Sequence, residues 1–202
     1  MRQFVFSMIA AALAAPAMAD CLTANDAEGG IRVTFQNGDV TTVRALGADM
    51  FQIEETYAEG TQHFRFHALY STYNLWDARL IGGVQQDADA IRIDWGVDLS
   101  ELPRPAVDAP AWTGEVIEYD PSGGINERGQ RELRFAPGKP IVLGDCSYET
   151  LTVGAETNWT INPRVQVQFW SYLPELGISF VVGWTNSANE YVETSVTNME
   201  AM

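Results

Sequence analysis

Ile31-Arg32-Val33-Thr34-Phe35-Gln36-Asn37-Gly38-Asp39-Val40-Thr41-Thr42-Val43 decides the fold class. Ile31, Val33 and Phe35 alternate with Arg32, Thr34 and Gln36, the period of a half-buried strand. Asn37-Gly38 then separates this run from a second one, Val40 to Leu46. Asn-Gly between two alternating runs is a hairpin signal, because a two-residue primed turn needs positive φ at both positions.

The same texture continues downstream. Met50 to Tyr57 places Phe51, Ile53, Glu55 and Tyr57 on one face. Gln62 to Tyr70 sends Phe64, Phe66, Ala68 and Tyr70 to one side and His63, Arg65, His67 and Leu69 to the other. Further strands are expected at Ala90–Trp95, Trp112–Tyr119, Arg131–Phe135, Ile141–Val153, Val165–Tyr172, Ile178–Trp184 and Tyr191–Met199. Val97 to Pro110 carries Pro103, Pro105 and Pro110 and reads as a surface loop. No sustained helical stripe interrupts the series. The expectation is an all-β chain with a single antiparallel, strongly curved sheet, half-barrel or barrel-like, of about ten strands. Phe169 and Trp170 are adjacent and so point to opposite faces. Either both faces are covered or the sheet wraps a ligand.

Residues 1–19 read as a removable signal peptide. Arg2 supplies the positive start, Phe4 to Ala15 the apolar stretch, and Ala17-Met18-Ala19 the cleavage site ahead of Asp20. Asp20 before Cys21 disfavours lipid modification, which needs a small residue there. The expected mature chain, residues 20–202, is one all-β domain exported to the periplasm. Cys21 and Cys146 are the only cysteines, and an even count in an oxidising compartment points to a disulfide between them.

The whole chain has 202 residues and a formal net charge of −15. Removing residues 1–19, which hold Arg2 and no acid, makes the charge −16. Such a surface repels nucleic acid and anionic lipid. At 46% hydrophobic content the chain can bury a core and is not a disordered acidic tail. No stretch outside the leader is long enough for a spanning helix.

Catalytic signatures are missing: there is no G-x-S-x-G elbow, phosphate loop or H-E-x-x-H pair. His63 and His67, four apart on a strand, sit about 13 Å apart, too far to share one metal ion. Arg65 between them is expected to pair with a cross-strand carboxylate such as Glu54. Asp87, Asp89, Asp94 and Asp98 lack calcium-loop spacing. Trp76, Trp112, Trp159 and Trp170 are either core fillers or ring platforms for sugars.

The export signal, the successive antiparallel strands and the late aromatic strand running into Tyr172-Leu173-Pro174-Glu175-Leu176-Gly177 resemble uncharacterised periplasmic β-sheet families. More distantly they resemble the lipoprotein-carrier half-barrels of the LolA/LolB type. That resemblance implies a curved sheet around an apolar cavity that holds acyl chains. The chain departs from it in lacking clear lid helices, and no family site residue transfers.

The function expected is a non-enzymatic binding, carrier or interaction domain for a small hydrophobic, lipid-like or amphipathic ligand, with Phe64, Phe66, Phe169 and Phe180 as ligand-lining residues. No catalytic, metal or cofactor residue is expected. The alternatives are a small outer-membrane β-barrel and a polysaccharide-acting enzyme that uses carboxylates.

Overall fold

A computed structural model describes residues 21–58, 62–186, 188 and 190–202. The proposed signal peptide lies outside the described residues. A single helical turn, α1 (Asp26–Gly29), precedes five successive strands. These are β1 (Ile31–Phe35), β2 (Val40–Gly47), β3 (Met50–Thr56), β4 (His63–Leu69) and β5 (Tyr73–Ile81). Then come β6 (Val84–Gln85), β7 (Ile91–Asp94), β8 (Trp112–Tyr119), β9 (Ile125–Pro137), β10 (Ile141–Leu143) and β11 (Cys146–Tyr148). The chain ends with β12 (Leu151–Trp159), β13 (Arg164–Leu173), β14 (Ile178–Thr185), β15 (Tyr191–Glu193) and β16 (Val196–Ala201).

Fourteen strands form one antiparallel sheet in the order β15-β14-β13-β12-β9-β8-β7-β5-β4-β3-β2-β1-β16, with β6 beside β5. β10 and β11 form a separate hairpin. The all-β antiparallel expectation is met. The strand count and the shape are corrected. There are fourteen strands in the main sheet, not about ten, and the sheet is neither closed nor strongly curled. Its terminal strands β15 and β16 pair with β14 and β1, although only Thr194 and Ser195 separate them in the chain. Residues of β1 and β3 nevertheless share a core with residues of β13 and β14, so distant parts of the sheet meet across side chains.

The first hairpin is correct in place and different in detail. Phe35 N–H bonds Asp39 O and Gly38 N–H bonds Phe35 O, both at 2.9 Å. Gly38 alone has positive φ, at 87°, so the connection is a three-residue loop closed by a glycine. Two successive positive φ values occur at Gly82-Gly83, and also at two turns that carry no glycine, Ala48-Asp49 and Tyr70-Ser71. At the second of these, burial holds the conformation. Ser71 Oγ donates to Ser179 O and accepts from Ser179 N–H, both at 2.9 Å, across the molecule.

Two cores result. The first gathers Ile31, Val33 and Phe35 of β1, Phe51 and Ile53 of β3, and Leu173, Ile178 and Phe180 of β13–β14. The second gathers Tyr73, Trp95, Trp112, Leu133, Val153, Trp159, Trp170 and Tyr172. Trp170 and Tyr172 lie on one face of β13, while Leu173 lies on the other. This pair of strands is therefore buried on both sides, which accounts for its aromatic content. Trp112, Trp159 and Trp170 are core residues at 8%, 4% and 6% exposure, and not open platforms for sugars.

The disulfide joins Cys21 to Cys146, clamping the segment before α1 to the β10–β11 hairpin. Beside it, Leu22 N–H donates to the Tyr148 hydroxyl at 2.9 Å. Among the described residues no helix is long and apolar enough to cross a membrane.

Candidate functional site

A cavity of about 240 Å³ opens where the ends of β2 and β3 face β13 and β14. Its position follows from strand parity. Glu55 is two residues from Ile53 and four from Phe51, so it shares their inward face, and it lies opposite Thr41 on β2. Gln166 and Gln168 share a face with Trp170 on β13. On β14 a bulge decides the matter. Phe169 opposes Gly183 and Trp170 opposes Val181, which leaves Val182 as an extra residue. The parity of the strand switches there. Val181 and Trp184 consequently both line the cavity, while Val182 packs on the first core.

The walls are mixed. Phe35, Val40, Tyr57, Val181 and Trp184 supply apolar surface, and Asp39, Thr41, Glu55, Gln166, Gln168 and Thr194 supply polar groups. Tyr57 donates its hydroxyl proton to Glu55 Oε2 at 3.1 Å. Asp39 is held by Asn37 Nδ2 at 2.7 Å and by the Ala58 N–H at 2.8 Å. Trp159 Nε1 donates to Gln166 Oε1 at 2.9 Å and orients that amide. Among the described residues, Thr194 Oγ1 is the one buried side-chain polar atom without a hydrogen-bond partner. Such an atom is costly unless a further group satisfies it.

Burial lifts Glu55 to about 7, and the Asp39 charge adds to the effect, while the Tyr57 bond opposes it. The surface that Glu55 retains faces the cavity, so it lies deep among protein atoms although it is only half-buried. Burial of the Tyr57 ring, with the Glu55 charge beside it, raises the phenol as well. The stability that the neutral Glu55 lends is complete below about 4.5 and is lost as pH rises through about 7.

A second set of ionisable groups faces the same interior from β5, β8 and β9. Burial, then the charges of Glu118 and Glu55, push Asp77 up to about 7. Burial also raises Glu118, against the pull of Arg131. Arg131 is 8% exposed, and its own burial brings it down to about 10. It donates to Thr157 Oγ1 at 2.6 Å and lies 5.1 Å and 5.7 Å from the ring centres of Trp95 and Trp159.

Glu127 on β9 closes this end. It accepts from Arg164 Nη1 at 2.7 Å, Asn162 Nδ2 at 3.0 Å and the Ile161 N–H at 3.1 Å, tying down the β12–β13 turn. Burial works against its charge, but these bonds, led by Arg164 and Asn162, hold it down to about 2. Its contribution to stability is complete above about 4.5 and fades as pH falls towards 2.

The four phenylalanines expected to line a ligand site occupy different places. Phe180 is 1% exposed in the first core, edge-on to Phe35 with ring centres 5.7 Å apart. Phe66 packs against that core, and Phe64 stands between it and Tyr57, 6.3 Å from each ring. Phe64 and Phe180 thus each back a wall residue. Phe169 lies on the opposite face of the sheet, over Gly154 and against Tyr191, in a shallow groove of about 220 Å³.

The His63–Arg65–His67 stripe is an outer strand face. Arg65 pairs with Glu54 at 2.7 Å, His63 lies 3.6 Å from the same carboxylate, and His67 stacks on Trp76 at 5.0 Å. Sequence reasoning placed Glu55 on an apolar face and passed over it. A carboxyl at a core position was the signal that pointed to the cavity.

No family model matches the chain. No curated protein sequence matches it either. A similar solved structure is that of a protein from Parabacteroides distasonis ATCC 8503, provisionally designated a lipoprotein. The two share 10% identity over 86% of this chain and 95% of the other, with a TM-score of 0.36. Likeness at that level carries no functional argument, and no link to LolA/LolB-type carriers emerges from these comparisons.

Proposed function

We propose that the protein is an exported, periplasmic binding domain that holds a small amphipathic ligand in the cavity between β2–β3 and β13–β14. The observation that carries this reading is the cavity wall itself: rings and aliphatic groups beside polar groups, one of which, Thr194 Oγ1, is buried without a partner. Pockets for drug-sized ligands run from about 300 to 1,000 Å³, so this one suits a smaller molecule. The Cys21–Cys146 disulfide supports an oxidising compartment. Outward-facing ion pairs favour water over lipid around the sheet. Arg32–Glu200, Arg65–Glu54 and Arg134–Glu132 lie on outer faces, where each arginine would cost about 2–4 kcal/mol at a bilayer midplane.

Native mass spectrometry of protein purified from the periplasm tests the proposal against a Gln168→Trp variant. The Gln168 side chain makes no hydrogen bond among the described residues, and an indole there fills the cavity. The parent is expected to retain a small molecule that the variant lacks. Equal occupancy in the two, or a bare parent under gentle desolvation, counts against the reading.

A further inference from the structure

We propose that the ligand of this cavity is a small organic cation, an ammonium group carried on a short body; this rests on the cavity being a ligand site. The acidic side chains on its wall are Asp39 and Glu55, and among the described residues no lysine, arginine or histidine lines it. Three aromatic residues, Phe35, Tyr57 and Trp184, stand with them. Ring faces attract cations through their quadrupole, and that attraction strengthens where water is excluded. A carboxylate beside such rings adds a counter-charge.

The surroundings reinforce the sign. Asp77 and Glu118 face the same interior, and the charge of Glu55 is felt at Asp77. The one buried cation nearby, Arg131, is already engaged with Thr157, Trp95, Trp159 and the charge of Glu118. At a net −15 the chain as a whole draws cations towards it. An anion in the cavity would meet two carboxyl groups and no cationic side chain. A purely apolar ligand would leave the Gln168 amide and the Thr194 hydroxyl without partner or water. An ammonium ion with a short polar arm satisfies both halves of the wall: its charge meets Glu55 and the rings, and its donors meet the amide and hydroxyl oxygens.

Choline and 3,3-dimethylbutan-1-ol test this, because they have the same shape and differ by one positive charge. Calorimetric titration of the full exported protein at neutral pH and low salt reads the difference. Choline is expected to bind at least about tenfold more tightly than the alcohol. Glu55→Gln, which keeps the acceptor for Tyr57, is expected to remove most of that preference. If the alcohol binds as tightly as choline, the cavity remains a ligand site and the cationic class is overturned. If neither probe binds the parent, and Gln168→Trp matches it in native mass spectra, both the ligand class and the binding reading fall. The parent titrations decide the matter even if the Glu55 variant does not fold.

Discussion

Replacing Cys146 with serine is expected to lower the unfolding free energy by about 4 to 5 kcal/mol in urea denaturation. The bond closes a loop spanning 125 positions, and tethering so long a loop removes much of the freedom of the unfolded chain. Its loss is also felt in the folded state. The β10–β11 hairpin lies outside the main sheet, and Leu22 and Ala27 pack on the first core beside Tyr148. Without the bond, the Tyr148 hydroxyl and these apolar contacts still hold the N-terminal segment near that hairpin. Chemical reduction of the parent should reproduce the variant's midpoint. A loss below about 1 kcal/mol, the scale of an ordinary point substitution, would contradict the loop-closure account.

Arg131→Ala is expected to cost about 3 to 5 kcal/mol, as removal of one member of a buried charged set does. The truncation breaks the bond to Thr157, empties the space between Trp95 and Trp159, and leaves Glu118 without its nearby counter-charge. Arg131→Met separates these effects. It refills the volume but not the charge, so it should recover part of the loss, and more of it at low pH, since burial already favours the neutral form of Glu118. Urea titrations of both variants at pH 5 and pH 7.5 measure this. Equal losses for Ala and Met would show that the emptied volume plays no part, and losses unchanged between the two pH values would show that the guanidinium charge plays none.

The local features of the fold were legible. Alternation located β1 to β4, and an even cysteine count with the expected export paired Cys21 with Cys146. What escaped was set by distant contacts. Ile141–Val153 reads as one strand, but Gly144, at φ 60°, turns the chain into the β10–β11 hairpin before β12 begins. Tyr191–Met199 also reads as one strand. It is split at Thr194-Ser195 because its first part serves β14 and its second β1. No local pattern encodes that division.

The cavity was illegible for the same reason. Its walls come from segments more than 100 positions apart, and the bulge at Val182 reverses the face that alternation assigns to Trp184. Glu55 was visible as an acid on an apolar face, and Arg131, two residues from Leu133, as a base on another. Read as flags rather than exceptions, these charges locate the polar end of the interior. The size and strand parity of Phe64, Phe66, Phe169 and Phe180 are legible in the sequence, but these features do not say which faces meet.

The most direct measurement is the fluorine spectrum of protein labelled with 5-fluorotryptophan, taken before and after adding a small-molecule extract of the periplasm. Trp184→Phe assigns the signal of the one tryptophan on the cavity wall. The account predicts that this signal moves, while those of the core residues Trp112 and Trp170 hold still. A Trp184 signal unchanged by every fraction, or shifts confined to the other tryptophans, would contradict it.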